Sequence, residues 1–344
     1  MRELKKKSTA KCEVEQYSNY LLVVPTNRGC TRLAKAMEGL SHDCINRFLE
    51  REDFAPSDLF TQVKDRLLLQ GGTLSVDDTI VDKPYSDPEK NGWIGFHYSG
   101  KHHRVVKGIC VVTLFYTDAK GVKLPVNWRI YHSSLGKTKN ELFLEMLEAV
   151  LEWGLKPALV TGDSWYASLD NFKHLRQKQL GFLFAVESDR LISNHPKQYH
   201  NVSQVEVPQQ GLWTHLKNFG FVTLFRQTQH QQARHYVYWT SQEHPATRQD
   251  FDKGHAEHWN IECFHRAWKQ LCNAEHFLVR STKAVQNHLF CAFVAFAKLE
   301  LLVRQHLQRN WYTLQQQIEQ SIIQTFMQLD TLPKLNFTHP ISKN

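Results

Sequence analysis

The 344-residue chain has seven cysteines, at 12, 30, 44, 110, 263, 272 and 291, and no Cys-x-x-Cys pair among them. An odd count without paired spacing excludes a disulfide framework and a zinc knuckle, and leaves reduced thiols. No apolar run reaches the roughly 18 residues of a membrane span. The basic start MRELKKKSTAKC is not followed by the apolar core of a signal peptide. A soluble, cytoplasmic protein with no membrane partner is the expectation. Also missing are a Gly-rich phosphate loop, a Gly-x-Ser-x-Gly elbow, a His-Glu-x-x-His helix and any repeat of fixed period. Negative charge is in short supply. With 42 Lys and Arg against 34 Asp and Glu, the net charge is +8 and the pI about 9.0, which leans toward a polyanionic partner. The 42% hydrophobic content supports a sizeable core, expected as a main domain with additions.

What is present changes texture along the chain. Residues 1–70 read as helical. Thr31 to Gly39 looks like one helix ending at the glycine, and Ser41 is placed to cap a second through Ile45 to Leu49, a helix-turn-helix outline. An ordinary helical hairpin gives the same pattern. From Thr73 the pattern becomes strand-like, with Leu74 to Ile80, Val105 to Tyr116 and Lys123 to His132 forming a meander whose last turn is Asp118-Ala119-Lys120-Gly121. An amphipathic helix over Thr138 to Trp153, a short strand over Ala158 to Thr161, a helix over Leu169 to Gln179 and a strand over Phe182 to Val186 follow. This β-β-β-α-β-α-β order predicts an α/β fold, a mixed five-stranded sheet flanked by helices. Residues 187–250 break the pattern as a β-rich insertion. The stretch 251–306 then supplies the helix around Glu262 and a long apolar helix, and 307–344 a Gln-rich helix and a loose tail.

Three places could carry chemistry. The sequence His258-Trp259-Asn260-Ile261-Glu262-Cys263-Phe264-His265-Arg266-Ala267-Trp268-Lys269 sets one carboxylate among basic and imidazole groups. On a helical wheel His255, His258, Glu262, His265, Arg266 and Lys269 share a face. That suits a metal-binding carboxylate beside a polyanion, and equally a solvated face with a Glu-Arg pair. In Ser75-Val76-Asp77-Asp78-Thr79-Ile80, strand alternation sends the two aspartates to opposite faces, so only one is expected in a given site. Asp163 stands where a buried strand runs out, as a backbone-capping residue or as an acid in need of a cation. Adjacent first and fourth strands would bring Asp78 and Asp163 together, with Glu262 as a third ligand. Three such carboxylates suit Mg²⁺ or Mn²⁺, two ions about 3.5–4 Å apart.

The order Asp-Asp-Thr, Gly-Asp-Ser-x-Tyr and Trp-x-Ile-Glu-x-Phe-His-Arg-Ala-Trp-Lys resembles the DDE transposases of bacterial insertion sequences, in the branch with a Tyr-x2-Arg-x3-Glu-x6-Lys signature. The likeness runs from about Leu74 to Glu300. It implies an RNase H-like catalytic domain interrupted before its Glu helix. It also implies a metal-dependent cut-and-paste activity on double-stranded DNA, with the terminal repeats brought together by a homodimer. Position by position, Asp78, Asp163 and Glu262 match the catalytic acids and Lys269 the DNA-contacting lysine. Tyr236 matches an aromatic that stacks on a flipped base in some relatives. Arg266 is a further expected DNA contact. The signature's Tyr and Arg places hold His255 and His258, which leaves open a decayed or repurposed DNA-binding protein. A structural zinc on His255, His258 and Glu262 is a further alternative.

Overall fold

The computed structural model describes residues 12–23, 29–37, 39–89, 91–100, 102–195, 198–229, 232–241, 244–305 and 310–327. The basic start over residues 1–11 and the tail expected over 332–344 lie outside them. Four helices come first: α1 (Val14–Val23), α2 (Cys30–Ala36), α3 (His42–Arg51) and α4 (Pro56–Val63). The expected helical pair is there. Gly39 takes φ +79° between α2 and α3, and Ser41 Oγ accepts from the Cys44 amide at 3.2 Å to cap α3.

The sheet opens with β1 (Thr73–Asp82), β2 (Gly95–Ser99), β3 (Arg104–Thr117) and β4 (Lys123–Tyr131). Asp118 makes the turn into β4, its Oδ1 accepting from the amides of Lys120 and Val122, both at 2.8 Å. Helix α5 (Lys139–Glu152) starts at a capping box in which Thr138 and Glu141 exchange side-chain and backbone hydrogen bonds. Then come β5 (Leu159–Gly162), α6 (Leu169–Gln177) and β6 (Gly181–Val186). Strand β1 pairs antiparallel with β3 and parallel with β5, which is in turn parallel to β6, and β4 flanks β3. The meander and the adjacency of first and fourth strands expected from the sequence are both present.

The sheet does not stop at five strands. The segment expected as a separate insertion folds into β7 (Leu191–His195), β8 (Gln198–Asn201), β9 (Leu212–Leu216), β10 (Gly220–Gln229) and β11 (Gln232–Trp239). Strand β11 pairs antiparallel with the open edge of β6, so the described residues form one mixed sheet of eleven strands. An unpaired β6 edge would leave backbone donors and acceptors unmatched, and β11 satisfies them.

Helix α7 (Arg248–Leu271), capped by a Thr247–Asp250 box, crosses one face of the sheet. Helices α5 and α6 cover the other, through Phe143 on Phe184 and Phe172 stacked on Phe182 at 4.5 Å. Behind α7 lies α8 (Thr282–Gln305), joined to it by Trp268 stacked on Phe293 at 4.4 Å and Phe264 against Phe296 at 4.6 Å. Although α8 is long and apolar enough to cross a membrane, contrary to the sequence reading, 78% of its apolar window is buried inside the protein. Its load is the N-terminal region. Tyr17 donates to or accepts from His288 at 2.9 Å, and Asn287 donates to the carbonyls of Leu49 and Glu52 at 2.6 Å each. A last helix, α9 (Trp311–Met327), packs on α8 through Trp311, whose indole donates to the buried Glu300 at 2.6 Å. All seven cysteines are free thiols.

Candidate active site

The parity of β1 decides what faces what. Thr73 donates through its hydroxyl to Glu257, Ser75 meets Thr161 at 2.8 Å with Thr161 in turn 3.1 Å from His258 Nδ1, and Asp77 Oδ2 lies 3.3 Å from His265 Nδ1. Odd-numbered residues of β1 therefore look at α7, and the contacts advance along both elements in the same direction. Glu262 lies one turn from both His258 and His265 on that face. The register of β1 with β5 ends at Val76 beside Gly162, so one step further Asp77 comes beside Asp163. Neighbours in register point to the same side, as Ser75 and Thr161 demonstrate, while Asp163, just past the end of β5, caps the turn that follows, its Oδ1 accepting from the Trp165 amide at 3.0 Å.

Two glycines permit this close fit. A Cβ on Gly162 would lie 2.5 Å from Phe184 and 2.9 Å from Val76, and one on Gly254 of α7 would lie 2.9 Å from Leu159 and 3.0 Å from Leu183. Gly254 thus lets α7 settle against β5 and β6 at the height that carries Glu262 to the strand ends.

Asp78 points the other way, toward α5. Lys139 Nζ donates to it at 2.6 Å, the Tyr166 hydroxyl at 3.0 Å and the Cys110 thiol at 3.4 Å. Even so, both aspartates border one cleft of about 730 Å³, with Asp163, Glu262, His265 and Lys269. Both aspartates thus line the cleft although they point to opposite faces of β1.

The acids load one another. Burial, then the charge of Asp78, raises Asp77 to about 8. Burial, then Asp77 and Asp78, raises Asp163 to about 7. Glu262 is also raised, by desolvation and by Asp77. The histidines go the other way, burial pushing His258 and His265 each down to about 4. His265 keeps Nε2 buried without a hydrogen-bond partner. In this conformation no three His, Cys, Asp or Glu side chains among the described residues converge closely enough to hold an ion. The donor set is nonetheless hard oxygen throughout, and its raised proton affinities are those of carboxylates short of positive charge.

The other expected residues separate. Lys269 lines the cleft, donating to the Ile80 carbonyl at 2.5 Å and paired with Glu275 at 3.2 Å. Arg266 lies instead in a second cavity of about 590 Å³, with Lys123, Cys263, Arg304 and Trp311. His255 Nε2 meets the Tyr236 hydroxyl at 3.2 Å, and the Tyr236 ring, 7% exposed, packs on Phe251. His255, His258 and Glu262 do not meet as a zinc set. Sequence reasoning did not single out Lys139, Tyr166 or the cleft-lining strand β2, and of the adjacent aspartates it chose Asp78. The signal for Asp77 was only its parity with Ser75.

Residues 70–297 match the family model described as a transposase DDE domain. Among solved structures, the Drosophila P element transposase strand transfer complex is similar at 16% identity and a TM-score of 0.28. That match covers 51% of this chain and 38% of the other, so this chain spans well under two thirds of that protein. No curated protein matches. The family match takes in the first, fourth and fifth core strands, the sheet extension and the helix that carries Glu262, and the chain belongs to the transposases with a DDE domain.

Proposed function

We propose that the protein is a divalent-metal-dependent DNA transposase of the cut-and-paste kind, acting on the inverted repeats at the ends of its own element. One observation supports this reading: Asp77, Asp163 and Glu262 line one cleft, with Asp77 and Asp163 each one step beyond the last pair of the parallel β1–β5 ladder, Val76 with Gly162, and Asp77 against the α7 face through His265. The reading gives the strand β1 ligand to Asp77, in place of the Asp78 matched from sequence, because Asp77 shares the α7 face and Asp78 is already held by Lys139 and Tyr166. Asp77, Asp163 and Glu262 would hold Mg²⁺ or Mn²⁺, two ions in this class of chemistry. Such ions supply Lewis acidity, activating the attacking water or 3′-hydroxyl and relieving charge on the leaving oxygen.

The chain's own groups complete the site. His265 fixes the Asp77 carboxylate from α7, and Lys269 and Lys139 set positive charge on two sides of the cleft, where DNA phosphates would pass. DNA contact by the α2–α3 pair, supported by the helical hairpin and the basic net charge, is part of the proposal, as are a homodimer and the division of the chain at 1–70, 71–186, 187–250, 251–306 and 307–344. The competing reading, a DNA-binding protein that no longer cuts, draws on His255 and His258, both pushed toward the neutral form where the related signature carries Tyr and Arg. Incubation with labelled DNA bearing the element's repeats in Mn²⁺ or Mg²⁺ separates the two. Nicks or double-strand cuts at the repeat ends in the wild type but not in Asp163→Ala support the transposase, whereas specific binding without cutting in either metal supports the other.

A further inference from the structure

Strand β2 and the first five residues of β3 form a two-stranded arm beyond the point where β4 stops pairing with β3. In its register Phe96 faces Lys107 and Tyr98 faces Val105, so these four side chains share one side of the arm. That side is unusually apolar for a surface. Phe96 is 71% exposed, Tyr98 66% and Val105 59%, and both rings border the carboxylate cleft. Large exposed rings beside a polar cleft mark a surface meant to be covered. Residues 95–107 contain Lys101, Arg104, Lys107 and three histidines, and no carboxylate.

We propose that this face takes an unstacked base of the DNA strand entering the cleft, held between Phe96 and Tyr98, with Lys107 on the same face toward the flanking phosphate. Residues two apart on a strand are separated by about 6.6 Å. A base stacked between two rings needs about 3.4 Å on each side, the axial spacing of successive nucleotides in one strand of a DNA duplex. The spacing of Phe96 and Tyr98 therefore admits one base, and the arm's own residues carry no carboxylate, the neighbouring Asp82 being paired with His102 at 3.0 Å, which favours a polyanion over a second copy of the protein. The inference deepens the transposase reading and rests on it.

The test measures binding of the full chain to a fluorescent single-stranded oligothymidylate and to a duplex of equal length, and cleavage of repeat-bearing DNA in Mn²⁺. Phe96→Ala and Tyr98→Ala should each weaken single-strand binding at least about fivefold, the lower end for loss of one base-aromatic stack. Duplex binding should change little, while Phe96→Tyr and Tyr98→Phe keep the single-strand affinity. Mismatches that unstack the bases next to the cut should restore part of the lost cleavage, which a merely structural defect would not allow. Unchanged single-strand binding in the double alanine variant overturns the proposal, as does a self-association of the wild type that the variant abolishes. If wild type and double variant cut equally well, the arm has no such role and the transposase reading stands. If the wild type binds single strands through the rings yet never cuts, the arm stands and that reading falls.

Discussion

Replacing Asp77 by Asn should make the metal-free protein more stable while removing its metal response. Asp77 is 8% exposed and its carboxyl is raised from 3.8 to about 8, chiefly by burial and then by Asp78. An acid whose pKa rises on folding holds its proton more tightly in the native state. Stability is therefore full below pH 3.8 and declines as the pH climbs toward 8. At neutral pH the gap of about three units, at about 1.4 kcal/mol each, is a penalty on the order of 4 kcal/mol. Protonation of Asp163 or Glu262 relieves part of this, so a gain of about 2–4 kcal/mol is expected from Asp77→Asn. Asn keeps the acceptor that the Asp78 amide uses at 2.7 Å. Thermal melts of chelator-treated protein should place the variant roughly 2–6 °C above wild type at about pH 7.5. The two should converge near pH 4, and Mn²⁺ should raise the melting temperature of the wild type only. A variant that melts at or below the wild type at about pH 7.5 would refute the claim that Asp77 is an uncompensated buried acid.

Asp78→Asn removes the partner of Lys139, whose side chain is only 16% exposed, and should cost about 1–3 kcal/mol in chemical denaturation; a neutral effect would mean that the pair is solvated. Gly254→Ala sets a methyl against Leu159 and Leu183 and should destabilise by about 1–3 kcal/mol, with slower cutting as α7 lifts; unchanged stability and rate would show that α7 does not need this approach. Lys269→Ala should weaken binding of the cleavage site and flatten its salt dependence by about one unit of slope, and an unchanged slope would mean that Glu275 and the Ile80 carbonyl are its whole role.

Local chemistry made much of this fold legible in the sequence. The Asp118 turn, the Thr138 capping box and the apolar run before Asp163 are short-range signals, and they fixed the meander, α5 and β5. The sheet extension was not legible as such, since pairing of β11 with β6 depends on an edge exposed some fifty residues earlier. Nor was β2, whose exposed Phe96 and Tyr98 make it read as loop. Alternation told that Asp77 and Asp78 diverge, but not which side α7 would cover, because that helix comes from the far end of the chain. The helical wheel grouped Arg266 with Lys269 for a related reason. α7 is buried on two sides, by the sheet and by α8, so its polar residues divide between two cavities rather than lining one face.

The most direct test of the account is cleavage of DNA bearing the element's terminal repeats in Mn²⁺ by wild type, Asp77→Asn and Asp78→Asn in parallel. Cutting at the repeat ends by wild type and by Asp78→Asn, and none by Asp77→Asn, is the predicted result. Cutting by Asp77→Asn, with Asp78→Asn folded and inactive, would contradict it and return the strand β1 ligand to Asp78.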